Sequence, residues 1–408
     1  MPRAGRFWSA EGVRKLFERK AERLKETAPP HKPSSKNIQI IDLARTMAIL
    51  PVLALHLKPL LPLPSPAYRW GWDHLQRNGS YGVSMFFLIS GFLISRIIDS
   101  MPSGLFKPSW KEFYARRVGR IIPLFLLVVF LGVFFFCIFQ NGSQAAIYCF
   151  KLPANPLDPF FWVSIFIFAF NWAKSLLMGT WKGLGLHWVV LWSLAVEEQF
   201  YLFYPWILRW LGNEKKLIRF LILVILAGFS WRWVLFMGLF PNGIELKWGS
   251  FGFFDQIALG VLLYVFQKRF GKFLSRDRLK SSALALLGFL MILLVYMGTS
   301  SEEDLDWVYS PLLIAFGLFL LLLGGLNLPV FESRFWTILA FPGKYSYGNY
   351  LFHISVLYFL NSFLAGLNVF TAFSLFVVVS TIVSAFSFHF FEVPANRWVR
   401  RFLGISHP

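Results

Sequence analysis

Val118-Gly-Arg-Ile-Ile-Pro-Leu-Phe-Leu-Leu-Val-Val-Phe-Leu-Gly-Val-Phe-Phe-Phe-Cys-Ile-Phe-Gln140 holds no charged side chain after Arg120. As a helix, twenty such residues rise about 30 Å, the thickness of a bilayer's hydrocarbon core. Similar apolar runs lie near 38–60, 81–98, 159–177, 186–211, 217–238, 252–267, 281–298, 310–330, 345–365 and 368–391, giving about eleven in all. Of the 408 residues, 56% are hydrophobic and only 15% charged, which is far from the balance of a soluble domain. The expected fold is all-α: a polytopic transmembrane helix bundle.

Charge orders the runs. The formal net charge is +19, but Lys and Arg gather in the connections Lys107–Arg120, Glu214–Arg219 and Lys268–Lys280 and at both termini. That is the pattern of cytoplasmic loops, and it argues against nucleic acid as a partner. The acidic Glu302–Asp306 loop fits the opposite side. Two cytoplasmic termini require an even number of crossings. The expectation is therefore about ten spans in the cell (inner, cytoplasmic) membrane, with 159–177 as an additional re-entrant or interfacial segment.

Residues 1–36 read as a basic cytoplasmic extension, 37–401 as the membrane domain and 402–408 as a short tail. Glu11 to Lys25 suits either a charged helix on anionic headgroups or a disordered tail. The opening residues lack a signal-peptide core, so the first span is expected to be its own anchor. Cys137 and Cys149 read as packing residues, and no metal ligand set is evident.

Ionisable side chains inside apolar runs are costly unless paired or wet, which makes each one a functional candidate. The first run carries Asp42, Arg45 and His56. Arg45 and His56 share a helix face, separated by about 16 Å of rise. A neutral imidazole suits general-base work, although a lone histidine can equally be structural. Asp42 and Arg45, three residues apart, can simply pair. Arg117 and Arg120 share a face at the start of the 118–140 run; their forked guanidinium groups suit phosphates, but positive-inside sorting also puts Arg there.

Leu191-Trp-Ser-Leu-Ala-Val-Glu-Glu-Gln-Phe-Tyr201 sets Glu197 and Glu198 in an apolar, aromatic segment. Lys344-Tyr-Ser-Tyr-Gly-Asn-Tyr-Leu-Phe-His353 brings Tyr345, Ser346 and His353 into the opening turns of a late run, and Phe391-Glu-Val-Pro closes the last. Glu392 and Arg397 read there as an interfacial ion pair.

In this order, over about residues 38 to 401, these segments resemble acyltransferase family 3, the multi-span membrane O-acyltransferases that modify surface polysaccharide, peptidoglycan, glycolipid and antibiotics. Arg45, ten intervening positions and His56 are similar to the family's first-span pattern. Gly82-Val-Ser-Met-Phe-Phe-Leu-Ile-Ser-Gly-Phe-Leu-Ile94 is similar to its second-span signature, Arg117 and Arg120 to its Arg-x-x-Arg motif, and Trp192 to Phe200 to its Trp-Ser-Leu-x-Val-Glu-Glu-Gln-Phe element. Tyr345-Ser346, His353 and Phe391-Glu-x-Pro match late elements, and Asp255 in Phe254-Asp-Gln-Ile-Ala-Leu-Gly260 matches a mid-chain polar position. Departures are Ser84 where the family commonly has Asp, and Ala44 and Thr46 in place of Gly.

The resemblance implies a cytosolic acyl-CoA donor, acetyl-CoA foremost, and a sugar-type hydroxyl acceptor. It implies a catalytic group of His56, Arg45, Glu197 and Glu198, with His56 as base or acyl carrier, Arg45 or another buried donor on the oxyanion, and the two glutamates orienting a base, binding acceptor hydroxyls or holding an Arg. Arg117 and Arg120 would hold the donor's phosphates, and Trp192, Ser193, Tyr345, Ser346, His353 and Asp255 would contact substrate. No hydrolase-like domain follows the last run, so a separate extracytoplasmic partner is one expectation. The rival readings are a transporter or flippase, which would move substrate without modifying it, and a catalytically silent scaffold.

Overall fold

The computed structural model describes residues 35–57, 66–139, 149–176, 184–239, 249–329 and 333–405. The proposed helix at Glu11 to Lys25, most of the 1–36 extension and the last residues of the tail lie outside them. The helices, in chain order, are α1 (Ser35–Leu57), α2 (Pro66–Arg77), α3 (Tyr81–Asp99), α4 (Trp110–Phe139), α5 (Pro159–Phe166), α6 (Phe170–Leu176), α7 (Leu186–Val189), α8 (Leu191–Leu211), α9 (Glu214–Phe236), α10 (Phe254–Arg276), α11 (Arg278–Gly298), α12 (Asp304–Gly325), α13 (Arg334–Leu339), α14 (Phe341–Lys344), α15 (Ser346–Leu364), α16 (Val369–Ser387) and α17 (Val393–Phe402). No strand occurs among the described residues.

Among the described residues, eight helical stretches are long and apolar enough to cross a membrane: α1, α3, α4, α9, α10 with its preceding 3-10 turn, α11, α12, and α16 continued through a π turn into α17. At 21 and 19 residues, α8 and α15 have the length too, but they carry Glu197, Glu198 and Arg209, and His353 among Ser, Asn and Tyr side chains. Their polarity has a use, because both supply side chains to the cavity described below. The 159–177 run breaks in two at Phe168, whose φ of 55° leaves the helical region. Neither α5, of eight residues, nor α6, of seven, is long enough to cross. Asp158 caps α5 by accepting from the Phe160 amide at 3.0 Å, and Pro159 sits at the first helical position, where its missing N–H costs nothing.

The π turn Phe388–Glu392 falls just before Pro394, which cannot donate to the Phe390 carbonyl; the helix widens there and continues into α17. Asn213, Asp277 and Asn368 cap α9, α11 and α16, and Gly212 ends α8 in the left-handed conformation at φ 69°.

Helices α1, α3, α10 and α12 are mostly buried, whereas α9 and α11 expose most of their apolar surface. This is how a bundle looks when lipid, not water, surrounds it. In lipid, close van der Waals packing replaces the hydrophobic drive, so small residues sit where backbones meet. A Cβ on Gly260 of α10 would lie 1.9 Å from the Leu88 carbonyl oxygen of α3, and one on Gly91 of α3 would lie 2.0 Å from that of Ile257. Between α11 and α12, Gly288 and Gly324 make the same kind of approach.

Gly260→Ala therefore forces α3 and α10 apart. The expected loss is about 1–3 kcal/mol or more, read as a lowered thermal midpoint of the detergent-solubilised protein. An unchanged midpoint would mean that this helix pair is not tightly held.

Candidate functional site

Five helices converge on a cavity enclosing about 860 Å³ of empty space, counting its open mouth. Its polar lining is Arg45 from α1, Ser90 from α3, Arg117 and Arg120 from α4, Ser193, Glu197 and Tyr201 from α8, and Ser346, Tyr347 and Tyr350 from α15. Val83, Phe86, Phe87, Leu93, Ile121 and Leu351 are among the apolar side chains between them. A large, mainly apolar cleft with a few convergent polar groups is the usual form of a small-molecule site.

The charges in this lining are unequal. Arg45 bonds Asp42 through Nη1 at 2.9 Å, the local pair the sequence allows. Glu197 accepts from Ser90 Oγ at 2.7 Å and from the Tyr201 hydroxyl at 3.4 Å. The Arg117 guanidinium lies 4.4 Å from the centre of the Tyr201 ring. Among the described residues neither Arg117 nor Arg120 forms an ion pair, whereas their neighbour Arg116 is paired with Glu112 at 2.5 Å. Arg117 is half-buried and Arg120 exposed. With Arg45 paired to Asp42, the cavity presents the guanidinium groups of Arg117 and Arg120 against one lining carboxylate, Glu197, which favours an anionic ligand.

The histidines form a separate group. His56 Nδ1 lies 2.9 Å from the Val52 carbonyl oxygen and 3.2 Å from His353 Nε2; the ring centroids are 4.7 Å apart. His353 Nδ1 lies 2.6 Å from the Tyr350 carbonyl oxygen. Neither histidine lines the cavity; Tyr350 links the two places, since its side chain lines the cavity and its carbonyl holds His353. Tyr350 is itself held: its hydroxyl donates to the Val190 carbonyl at 2.9 Å and so accepts from Ser193 Oγ at 2.7 Å.

Of the residues singled out from the sequence, Arg45, Arg117, Arg120, Ser193, Glu197 and Ser346 meet at the cavity, and His56 meets His353 beyond it. The others lie elsewhere. Trp192 packs on Phe87 and Phe253. Tyr345 reaches His389 Nε2 at 3.2 Å through its hydroxyl. Glu198 is outside the lining, and its Oε1 is buried without a hydrogen-bond partner among the described residues. Glu392 accepts from Ser387 Oγ at 3.3 Å, and the expected ion pair with Arg397 does not form: Arg397 is exposed.

Asp255 is fully buried away from the cavity, 2.6 Å from Arg232 Nη2, with its second oxygen accepting from the Gln256 amide at 2.8 Å. Arg232 also donates to the carbonyls of Val308 and Gly252. Removing one member leaves the other charge buried and alone, so Arg232→Met is expected to cost about 3–5 kcal/mol. Replacing both with leucine should recover most of that, measured as thermal midpoints in detergent. A double variant as unstable as Arg232→Met would contradict the pairing.

The sequence reading missed Ser90, Tyr201, Tyr347 and Tyr350. Tyr201 lies one turn beyond Glu197 on the same face, and Tyr350 one turn before His353, signals that were present; a lone Ser90 gives none. It also missed Gln199 as a hub. Gln199 donates to the Phe168 carbonyl at 2.6 Å and to Asn171 Oδ1 at 2.9 Å, and accepts from Ser250 Oγ at 2.6 Å. It thereby ties the α5–α6 break to the turn before α10. At the departures, Thr46 Oγ1 accepts from the Gly343 amide at 2.9 Å, joining α1 to α14, and Ser84 Oγ is buried without a partner among the described residues.

Comparison with known proteins gives a consistent picture. A family model described as an acyltransferase domain matches residues 38–389. Similar curated proteins include the peptidoglycan O-acetyltransferase OatA of Listeria monocytogenes, 28% identical over 392 residues, covering 91% of this chain and 58% of that protein. The O-acetyltransferase OatA of Staphylococcus aureus is 24% identical over 334 residues, covering 78% and 53%. The putative peptidoglycan O-acetyltransferase YrhL of Bacillus subtilis is 26% identical over 368 residues, covering 87% and 54%. The chain spans somewhat over half the length of these relatives. No solved structure matches it.

Proposed function

The chain belongs to acyltransferase family 3, and from that premise we propose that it transfers an acyl group, acetyl foremost, from acyl-CoA to a hydroxyl of a cell-envelope carbohydrate such as peptidoglycan. The observation that carries the reading is the cavity in which Arg117 and Arg120, with no ion-pair partner among the described residues, stand against a single lining carboxylate while Arg45 is held by Asp42. Coenzyme A is a polyanion with an apolar-compatible arm, and forked guanidinium groups match its phosphates. The basic connections favour the cytoplasmic face for the Arg117 and Arg120 end, and in this reading both termini lie on that side of the inner membrane. The donor then enters from the compartment that holds it.

In this reading the acceptor oxygen attacks the thioester carbon, and His56 takes the hydroxyl proton. The C–S bond breaks as the C–O bond forms, and the departing thiolate receives the proton from His56, leaving the ester and free coenzyme A. Arg45, on the same helix as His56 and in the cavity lining, is the group this reading assigns to offer the developing oxyanion a hydrogen bond. Tyr350 lines the cavity and its carbonyl holds His353, so in this reading the acyl arm passes that side chain to reach His56. The acceptor decides whether an extracytoplasmic partner is required.

The test uses inverted membrane vesicles bearing the protein, supplied with acetyl-CoA radiolabelled in the acetyl group. Transfer of label to glycan or glycolipid, above that of vesicles lacking the protein, is expected. Uptake of label without esterification would favour a transporter instead.

A further inference from the structure

The two histidines are joined in a way that assigns their protons. Carbonyl oxygens only accept hydrogen bonds, so Val52 O, 2.9 Å from His56 Nδ1, and Tyr350 O, 2.6 Å from His353 Nδ1, each require a hydrogen on that nitrogen. A neutral His353 therefore keeps its lone pair on Nε2, the atom 3.2 Å from His56 Nδ1. His56 Nδ1–H faces two acceptors at once, and the free base nitrogen of His56 is Nε2. His353 is fully buried, so water does not compete for its lone pair.

We propose that His353 is the positioning residue for His56: it holds the tautomer that leaves Nε2 free, and it shares the imidazolium charge when Nε2 takes the acceptor's proton. This rests on the reading of His56 as the base. The protons balance. The acceptor's O–H bond breaks and an N–H bond forms at His56 Nε2. The Nδ1 proton, made more acidic, is drawn toward His353 Nε2. When the thiolate leaves, it takes the proton from His56 Nε2, and both rings return to neutral. Val52 O favours the same tautomer but offers no basic nitrogen to share the charge, so the charge-sharing falls to His353 alone.

The arrangement also explains why the second histidine sits on α15. One turn before it, Tyr350 anchors α15 to Ser193 and Val190 through its hydroxyl while its carbonyl orients the His353 ring. The same turn thus shapes the cavity and sets the ring that supports His56.

The experiment measures acetyl transfer by wild type, His56→Ala, His353→Leu, His353→Gln and His56→Ala/His353→Leu, all at matched membrane levels. His353→Leu is expected to lower kcat about 10–100-fold with little change in KM for acetyl-CoA. Glutamine, whose carbonyl can accept from Nδ1–H, should recover at least part of that loss. The double variant should be no slower than His56→Ala alone, because His353 acts through His56. If His353→Leu turns over like wild type while His56→Ala is inactive, the inference fails and the base reading stands. If His56→Ala itself keeps the wild-type rate, the base reading fails. A double variant much slower than His56→Ala would also overturn the inference, since His353 would then act independently.

Discussion

His56→Ala lowers acyl transfer by about two to four orders of magnitude, the range a positioned general base supplies. The loss falls on kcat, because His56 lies beyond the Arg-lined cavity and takes no part in its lining. The substitution leaves the fold in place. His56 is only partly buried at the end of α1, and its two hydrogen-bond contacts are one to its own helix and one to His353. Donor binding measured on the same preparation separates loss of chemistry from loss of structure. A variant that binds acetyl-CoA normally and still transfers at the wild-type rate would remove His56 from the mechanism.

Arg117→Ala raises KM for acetyl-CoA, by roughly 10–100-fold if it loses one charge-assisted contact worth about 1.5–3 kcal/mol. Arg120→Ala does the same to a smaller degree, because Arg120 is exposed and its field is screened by salt, whereas Arg117 is half-buried against Tyr201. The two effects partly add, and raising ionic strength weakens donor binding in the wild type more than in the double variant. Lysine at either position keeps the charge but not the fork, so it recovers only part of the loss. Steady-state kinetics across acetyl-CoA concentrations checks this. An unchanged KM in the double variant, at equal protein levels, would show that the donor phosphates are held elsewhere.

Helix-forming runs were legible because a bilayer leaves few alternatives for backbone hydrogen bonding. The break at Phe168 was anticipated only as an incomplete span: the residues of 159–177 are apolar throughout enough of their length that nothing in them marks Phe168 itself. The cavity is a different matter. Arg45, Arg117, Arg120 and Glu197 lie on three helices, and no spacing within one helix shows that they face a common space; the family resemblance brought them together before the geometry did. Asp255 shows the converse. Its partner Arg232 lies one helix earlier, at the far end of α9, and a buried ion pair that spans two helices looks the same in sequence as a polar residue aimed at a substrate. A lone hydroxyl such as Ser90 was illegible for a plainer reason, since its polarity is cheap enough to occur anywhere in an aromatic-rich bundle.

The most direct measurement is mass spectrometry of envelope glycans and glycolipids from cells carrying the wild-type protein or His56→Ala at matched membrane levels. The account predicts an ester-linked acetyl-sized addition with the wild type that is lost on mild alkaline treatment and absent from the variant. The same addition at equal abundance in both would contradict it.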